Sequence, residues 1–269
     1  MELQLQGKKG SETIYVDNLG KIIETTDVVE SQSGNNLYLS IDSDLQMAIY
    51  SILEQKIAGI IALKMRNVMN YDASSVSSAG NLIIPIDDVY YALFNNSVID
   101  ITHFTSDNAD VTEREVYQIF LNKQQNVLNE IKDELQNKKT PYDQLSKEYK
   151  NYESYIVSML TKKGVLVNSA IDKEDATYIA WTRDEVISLN EYLNYAIAQN
   201  WIDITKLSLD SQYSDSEEIL NSMIDYIMDN LKDNNEFSKK LYKYMISSQQ
   251  ITGKQICMLL WEQDIISVE

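Results

Sequence analysis

The chain has 269 residues, a hydrophobic content of 44%, and only two prolines and eight glycines. Such a chain can bury a sizeable core in one large domain or two smaller ones, and its few turn-forming residues argue against a sandwich or barrel of short strands. The formal net charge of −18 repels phosphate backbones and anionic lipids, which argues against binding to nucleic acid or to a membrane surface.

The first 42 residues have β character. Two β-branched stretches, residues 12–16 and 21–25, flank the turn-forming residues 17–20, and this pattern predicts a hairpin. Residues 34–36 predict a further turn and residues 37–41 predict a strand. We therefore expect a small β-rich segment over residues 1–42.

From residue 43 onward, apolar residues recur with a helical period. Capping boxes, in which a Ser or Thr and a Glu or Gln three positions later bond each other's backbone, mark helix starts. The predicted boxes are Ser43 with Gln46, Thr112 with Glu115, Thr182 with Glu185, Ser214 with Glu217 and Thr252 with Gln255. Thr140-Pro141 adds a start with proline at the first helical position.

The apolar stripes also predict helices over residues 85–95, 141–163, 184–199 and 235–247. Residues 43–269 are thus expected to form an all-α, bundle-like domain. The predicted fold is mainly α with a small N-terminal β portion, an α+β arrangement.

Residues with reactive side chains are sparse. His103 is the only histidine, which cannot build a multi-histidine metal site, so we predict a structural or surface role for it. Cys257, the only cysteine, lies in the apolar run of residues 256–260 and is predicted to be buried as a small hydrophobic residue.

The many carboxylates do not single out a catalytic pair. The acidic clusters at residues 87–88, 172–175 and 217–218 are explained by helix N-termini, where negative side chains are favoured. No catalytic, cofactor-binding or metal-binding residue is predicted. A hydrolase that uses two of its carboxylates stays open as an alternative.

Three short stretches within the first 46 residues form a series. Residues 5–10 read Leu-Gln-Gly-Lys-Lys-Gly, residues 17–20 read Asp-Asn-Leu-Gly, and residues 39–46 read Leu-Ser-Ile-Asp-Ser-Asp-Leu-Gln. In order and spacing they resemble the end of the non-catalytic pedestal, the next hairpin turn and the following strand-to-helix junction of class B penicillin-binding proteins. The resemblance is carried by Leu5, Gly7, Gly10, Asp17, Gly20, Leu39, Ile41, Asp42, Leu45 and Gln46.

The resemblance covers less than a quarter of the chain. In the family, a strand of the form Gly-Ala-Val-Val-Ala-Leu-Asp soon follows this helix. Residues 59–63 are similar to its start, but Lys64 stands in place of the aspartate, so we predict one continuous helix over residues 47–70. The rest of the chain is expected to be a helical insertion before the family's transpeptidase core.

The family's acyl-enzyme chemistry needs Ser-x-x-Lys and Lys-Thr-Gly, and neither motif occurs in this sequence. The resemblance therefore implies a non-catalytic structural or interaction segment of a peptidoglycan D,D-transpeptidase, without a cofactor. It also implies a location at the extracytoplasmic face of a bacterial membrane and partners among cell-wall synthesis or division proteins. The parent would be anchored by an N-terminal helix outside this chain, because the sequence shows neither a signal peptide nor an apolar run long enough to span a membrane. The main alternative is a free-standing helical scaffold unrelated to the wall.

Overall fold

The computed structural model describes residues 5–16, 20–37, 40–68, 71–209 and 214–267. The protein is about 59% helical, and nine α-helices and a small N-terminal two-stranded antiparallel sheet lie in these ranges. The predicted mainly α fold with a small N-terminal β portion is therefore confirmed. The chain divides into two compact units, Met1–Leu63 and Lys64–Glu269, and this division falls in the last turn of the first helix. The predicted boundary at residue 42 stays a prediction.

The first unit begins with an antiparallel hairpin of β1 (Ser11–Val16) and β2 (Ile22–Val29), as the sequence predicts. Residues 17–19 of the predicted turn lie outside the described residues. The predicted strand over residues 37–41 is wrong at residues 37, 40 and 41, which lie outside any strand, while residues 38–39 are not described. Alternation of apolar and polar residues alone does not make a strand when no neighbouring backbone pairs with it.

Close backbone approach extends the hairpin. Lys8 and Gln32 exchange two backbone hydrogen bonds of 2.9 Å, which bring the segment before β1 against the segment after β2. Gly34 lies so near Leu5 that a Cβ atom would collide with the Leu5 carbonyl group, and Gly7 has a φ of +70°. These two glycines therefore permit a backbone contact that other residues would prevent.

Substitution of Gly34 by alanine is expected to destabilise the first unit by roughly 1–3 kcal/mol, because its Cβ would force two backbone segments apart. Faster hydrogen exchange at the Lys8 and Gln32 amides would report the loss. Gly59→Ala is the matched control, since a Cβ there meets nothing within 4 Å. Equal amide protection in the two variants would contradict this expectation.

Helix α1 (Ser43–Lys64) is capped by Asp42, the residue before it, and not by Ser43 as predicted. The Asp42 carboxylate accepts hydrogen bonds from the backbone N–H groups of Asp44 (3.0 Å) and Leu45 (3.1 Å). The predicted capping box of Ser43 with Gln46 is therefore wrong, because aspartate caps a helix as well as serine and precedes it here.

The same helix ends earlier than the prediction of one helix over residues 47–70. Met65–Arg66 leaves the helix to form β3, which pairs in parallel with β4 (Ile84–Pro85). Pairing with this distant strand competes successfully with continuation of the helix. Residues 59–63 lie in α1, as predicted.

In its described residues the second unit is mainly helical, with this two-residue pairing and one isolated antiparallel bridge between Leu166 and Ile202. Its helices are α2 (Ile86–Asn95), α3 (Val111–Asp133), α4 (Lys147–Lys162), α5 (Ala176–Thr182), α6 (Leu189–Ala198), α7 (Ser216–Lys232), α8 (Asn235–Ser247) and α9 (Gly253–Glu262). Helix α3 continues into a π-helical turn, Glu134–Lys138. The predictions for α2 and α8 are accurate to within one residue, whereas those for α4 and α6 begin too early.

Most errors in the predicted helix starts arise because another residue caps the helix. The box of Thr252 with Gln255 is confirmed at α9. The boxes predicted at Thr112, Thr182 and Ser214 are wrong: Thr182 ends α5, and the boxes that form are Asp110 with Glu113, Ser188 with Glu191 and Asp215 with Glu218. Helix α4 is capped by Ser146, five residues after Pro141.

The core of the second unit lies where α3 packs against α7, α8 and α9. Tyr242 of α8 is stacked between Phe94 of α2 and Phe120 of α3, with ring centroids 4.8 Å apart in each pair. Cys257 is exposed, so its predicted burial is wrong. Helix α9 buries Ile256 and Leu259 on its other face, and an apolar run longer than one helical stripe cannot bury all of its members.

Candidate docking surface

Helix α1 buries none of its 22 residues. Its large apolar side chains are exposed, from 37% for Ile61 to 74% for Leu63. The exposed set is Leu45, Met47, Ile49, Tyr50, Ile52, Leu53, Ile57, Ile60, Ile61 and Leu63. A contiguous apolar surface of this kind is typical of a binding interface.

The angular spread of these side chains is wide. At 100° per residue they occupy a sector of roughly 220° around the helix axis. Residues in the remaining sector include Ala48, Ser51, Ala58 and Ala62. An ordinary surface helix needs an apolar stripe of about 100° to cover one contact. Because α1 far exceeds that width, a flat contact would leave much of it in water, and only a surrounding groove or core would bury it.

The hairpin adds apolar surface on both of its faces. Ile22 and Ile23 are neighbours on β2 and point to opposite faces, yet they are 58% and 70% exposed. Ile14 with Tyr15 and Val28 with Val29 repeat the arrangement. A two-stranded sheet is only marginally stable alone, and one with two apolar faces is suited to lie between other elements.

The residues that carry the family resemblance fall in two places. Asp42, Leu45 and Gln46 lie together at the start of α1, where Asp42 is the cap. Gly7 and Gly10 lie against the backbone of residues 29–34. The first place opens the apolar helix, and the second holds the base of the hairpin.

The other motif positions show no convergence into a site. Leu5 and Ile41 are exposed apolar residues, and Gly20 has a φ of +80° at the end of the turn. Asp17 and Leu39 lie outside the described residues. The motif is therefore a backbone and capping pattern in the described part of the chain.

In the second unit, His103 belongs to a polar network that ties the start of α3 to the end of α9. Its Nδ1 atom lies 2.8 Å from a carboxylate oxygen of Glu113, which is fully buried. The Gln263 amide donates to Glu113 over 2.7 Å, and the Asp110 backbone N–H does so over 2.8 Å. Burial raises the pKa of Glu113, but these hydrogen bonds and His103 outweigh it and hold the pKa below its ordinary value.

Glu153 is a second buried acid in the second unit, and the sequence analysis did not single it out. Glu153 of α4 is 4% exposed, and its Oε2 atom is buried without a hydrogen-bond partner in the described structure. Burial, and next the charge of Glu134, raise the pKa of Glu153 to about 8. Among the described clefts of about 310 to 600 Å³, none has Glu153 or Glu134 in its wall. Both carboxylates are buried, since Glu134 is 8% exposed.

The raised pKa makes the stability of the protein depend on pH. Between its ordinary pKa of 4.5 and about 8, Glu153 holds a proton in the folded state that the unfolded chain has lost. The free energy of unfolding is therefore expected to fall as the pH rises through this window, by roughly 2–4 kcal/mol from this group. Denaturant unfolding at pH 5 and pH 8 measures the slope.

Glu153→Gln removes the titrating group and should flatten that slope. The exposed Glu115→Gln on α3 is the control with the same change of charge, and it should keep the wild-type slope. An unchanged slope in Glu153→Gln would show that the side chain ionises freely in the folded protein.

Other kinds of site were sought over the described ranges. They contain no cluster of three or more His, Cys, Asp or Glu side chains placed to hold a metal ion. Within the same ranges, the helices are too short or too polar to cross a bilayer. Comparison of the chain with protein-family models, with curated proteins and with solved structures gave no match.

Proposed function

We propose that the chain is a non-catalytic docking segment of a class B penicillin-binding protein, a peptidoglycan D,D-transpeptidase acting outside the cytoplasmic membrane. In this proposal α1 and the hairpin form the surface that the catalytic part of the transpeptidase encloses. The observation that carries it is the exposure of apolar side chains around most of the circumference of α1.

The position of the resemblance supports this assignment. The stretch that resembles Leu-Thr-Ile-Asp-x-x-Leu-Gln ends in the first turn of α1, and Asp42 within it caps that helix. In the family, this junction leads from the pedestal towards the transpeptidase core. The helix that carries the exposed apolar surface is thus the one that the resemblance assigns to the core.

Burial of α1 would make a large contribution to the free energy of binding a partner. Full burial of one large apolar side chain contributes about 1.5–3 kcal/mol, so the ten on α1 represent roughly 15 kcal/mol or more before the costs of association. This is comparable with the whole stability of an ordinary domain. Burial of α1 can therefore offset much of the cost of association with a specific protein partner.

The free-standing scaffold is a second candidate because the second unit has its own extensive core. Buried residues from several helices, such as Ile131, Leu160 and Leu193, form this core. On that alternative α1 would contact some other protein. The identity of the protein that α1 captures separates the two functions.

Capture from solubilised bacterial membranes tests the proposal. The chain, used as bait, is expected to retain a protein that reacts with a fluorescent penicillin, because α1 fits a transpeptidase. Ile52→Asp/Ile60→Asp should abolish this capture, since both substitutions place charge on the apolar surface of α1. Val111→Asp, at an exposed apolar residue of the second unit, should leave it unchanged. Failure of the wild-type chain to retain a penicillin-reactive protein would contradict the proposal.

The chain itself should remain unlabelled by the penicillin. Acylation needs a serine activated by the lysine of Ser-x-x-Lys, and that pairing does not occur in this sequence. Denaturing electrophoresis after incubation measures covalent labelling. A stable fluorescent band at the mass of this chain would show an acylating serine that the motif search missed.

A further inference from the structure

A cleft of about 530 Å³ lies between α4 and the start of α8, in the second unit. Lys162 and Lys163 at the end of α4 and Lys240 of α8 contribute to its wall. Ser158 and Asn234 also line it and supply a hydroxyl and an amide group. The cleft therefore combines positive charge with neutral hydrogen-bonding groups.

The positive charge in this cleft is only partly neutralised by the protein, because the charge of Glu236 acts on Lys240 without forming an ion pair with it. Glu236 is the one carboxylate in the wall, and it lies 3.4 Å from Lys239, which is outside the wall. In the described part of the chain, no carboxylate oxygen lies within 4 Å of the ammonium groups of the three lysines. The chain has 41 acidic and 23 basic residues, so acids for pairing are plentiful. Other lysines do find them, as Lys123 does with Glu148 and Lys150 with Glu185.

The floor of the cleft is fixed by packing. The Lys240 ammonium lies 5.3 Å from the centroid of the Tyr155 ring. Tyr155 stacks on the buried Phe237 and donates a hydrogen bond of 2.7 Å to the side chain of Asn234. Burial, and next the charge of Lys243, lower the pKa of Lys240. An anion near Lys240 would offset the repulsion between the Lys240 and Lys243 ammonium groups.

We propose that this cleft binds a compact anion of the diphosphate class. Lysine ammonium groups act as point charges for phosphate oxygens, and the serine and asparagine groups can donate further hydrogen bonds. A diphosphate concentrates several negative charges in a small volume and so suits a cleft with three lysines in its wall. The volume lies within the range of small-molecule sites. This inference goes beyond the docking function and does not depend on it.

Titration calorimetry of the whole chain with inorganic pyrophosphate at low salt tests the site. The wild-type chain is expected to bind it, and Lys162→Gln/Lys163→Gln should weaken binding by about tenfold or more, because two charge-assisted contacts are lost. Lys240→Gln should have a similar effect. Lys254→Gln, an exposed lysine outside the cleft, should change the affinity less than twofold.

Two independent variants are used because a substitution at one site could prevent folding. Lys162 and Lys163 are exposed, so their double variant decides the outcome even if the half-buried Lys240 proves necessary for folding. No binding by the wild-type chain, or equal binding by the double variant and Lys254→Gln, would overturn the site.

Two further probes test the chemical class. Citrate should bind at least tenfold more weakly than pyrophosphate, and equal affinity would overturn the assignment to phosphate. Phosphatidylglycerol vesicles should not sediment the chain. Sedimentation with vesicles, in the absence of binding to free pyrophosphate, would overturn the assignment to a small anion.

Discussion

Burial of apolar side chains away from water is favourable, and α1 is a helix on which none of them is buried. The wide apolar sector rules out a flat contact as a full solution, because much of the helix would remain wet. The hairpin before it repeats the problem with a sheet that is apolar on both faces. The first unit thus leaves a large apolar surface in water, and its glycines and the Asp42 cap shape the backbone that carries this surface.

The second unit satisfies the same constraint internally. Its helices bury their apolar stripes against one another, and aromatic stacking around Tyr242 joins α2, α3 and α8. Polar groups in the interior are held by specific bonds, as Glu113 is by His103 and Gln263. Glu153 differs, because its Oε2 atom has no hydrogen-bond partner among the described residues and burial raises its pKa to about 8. The second unit therefore removes apolar surface from water within itself, whereas we propose that the first unit does so through a partner.

Much of this fold is predictable from local patterns. The helical period and polar caps predict α2, α8 and the start of α9, and β-branched stretches predict the hairpin. The errors occur where two local signals compete or where a distant segment decides. Asp42 and Asp110 replace the predicted caps because any short acceptor in the right place will serve. The end of α1 at Lys64 depends on β4, which lies twenty residues further on.

The candidate docking surface was harder to predict from the sequence than the helices and the hairpin. Apolar residues around most of a helix predict burial, but not whether the covering surface belongs to the same chain. Glu153 could have been noticed, since it follows Tyr149 by four residues and precedes Ile156 by three, within an apolar stripe. The lysine cleft could not, because α4 and α8 are distant in sequence and only packing brings Lys163 and Lys240 to one cleft.

Hydrogen exchange of the free chain at low micromolar concentration tests the central claim most directly. Helix α1 and helix α3 are similar in length, but α3 buries seven residues whereas α1 buries none. The amides of α1 should therefore exchange far faster than those in the middle of α3, because an isolated helix with no packed face opens readily. Protection of α1 equal to that of α3 would show that its apolar surface is already covered, and would contradict the proposed role of α1 as an unoccupied docking surface.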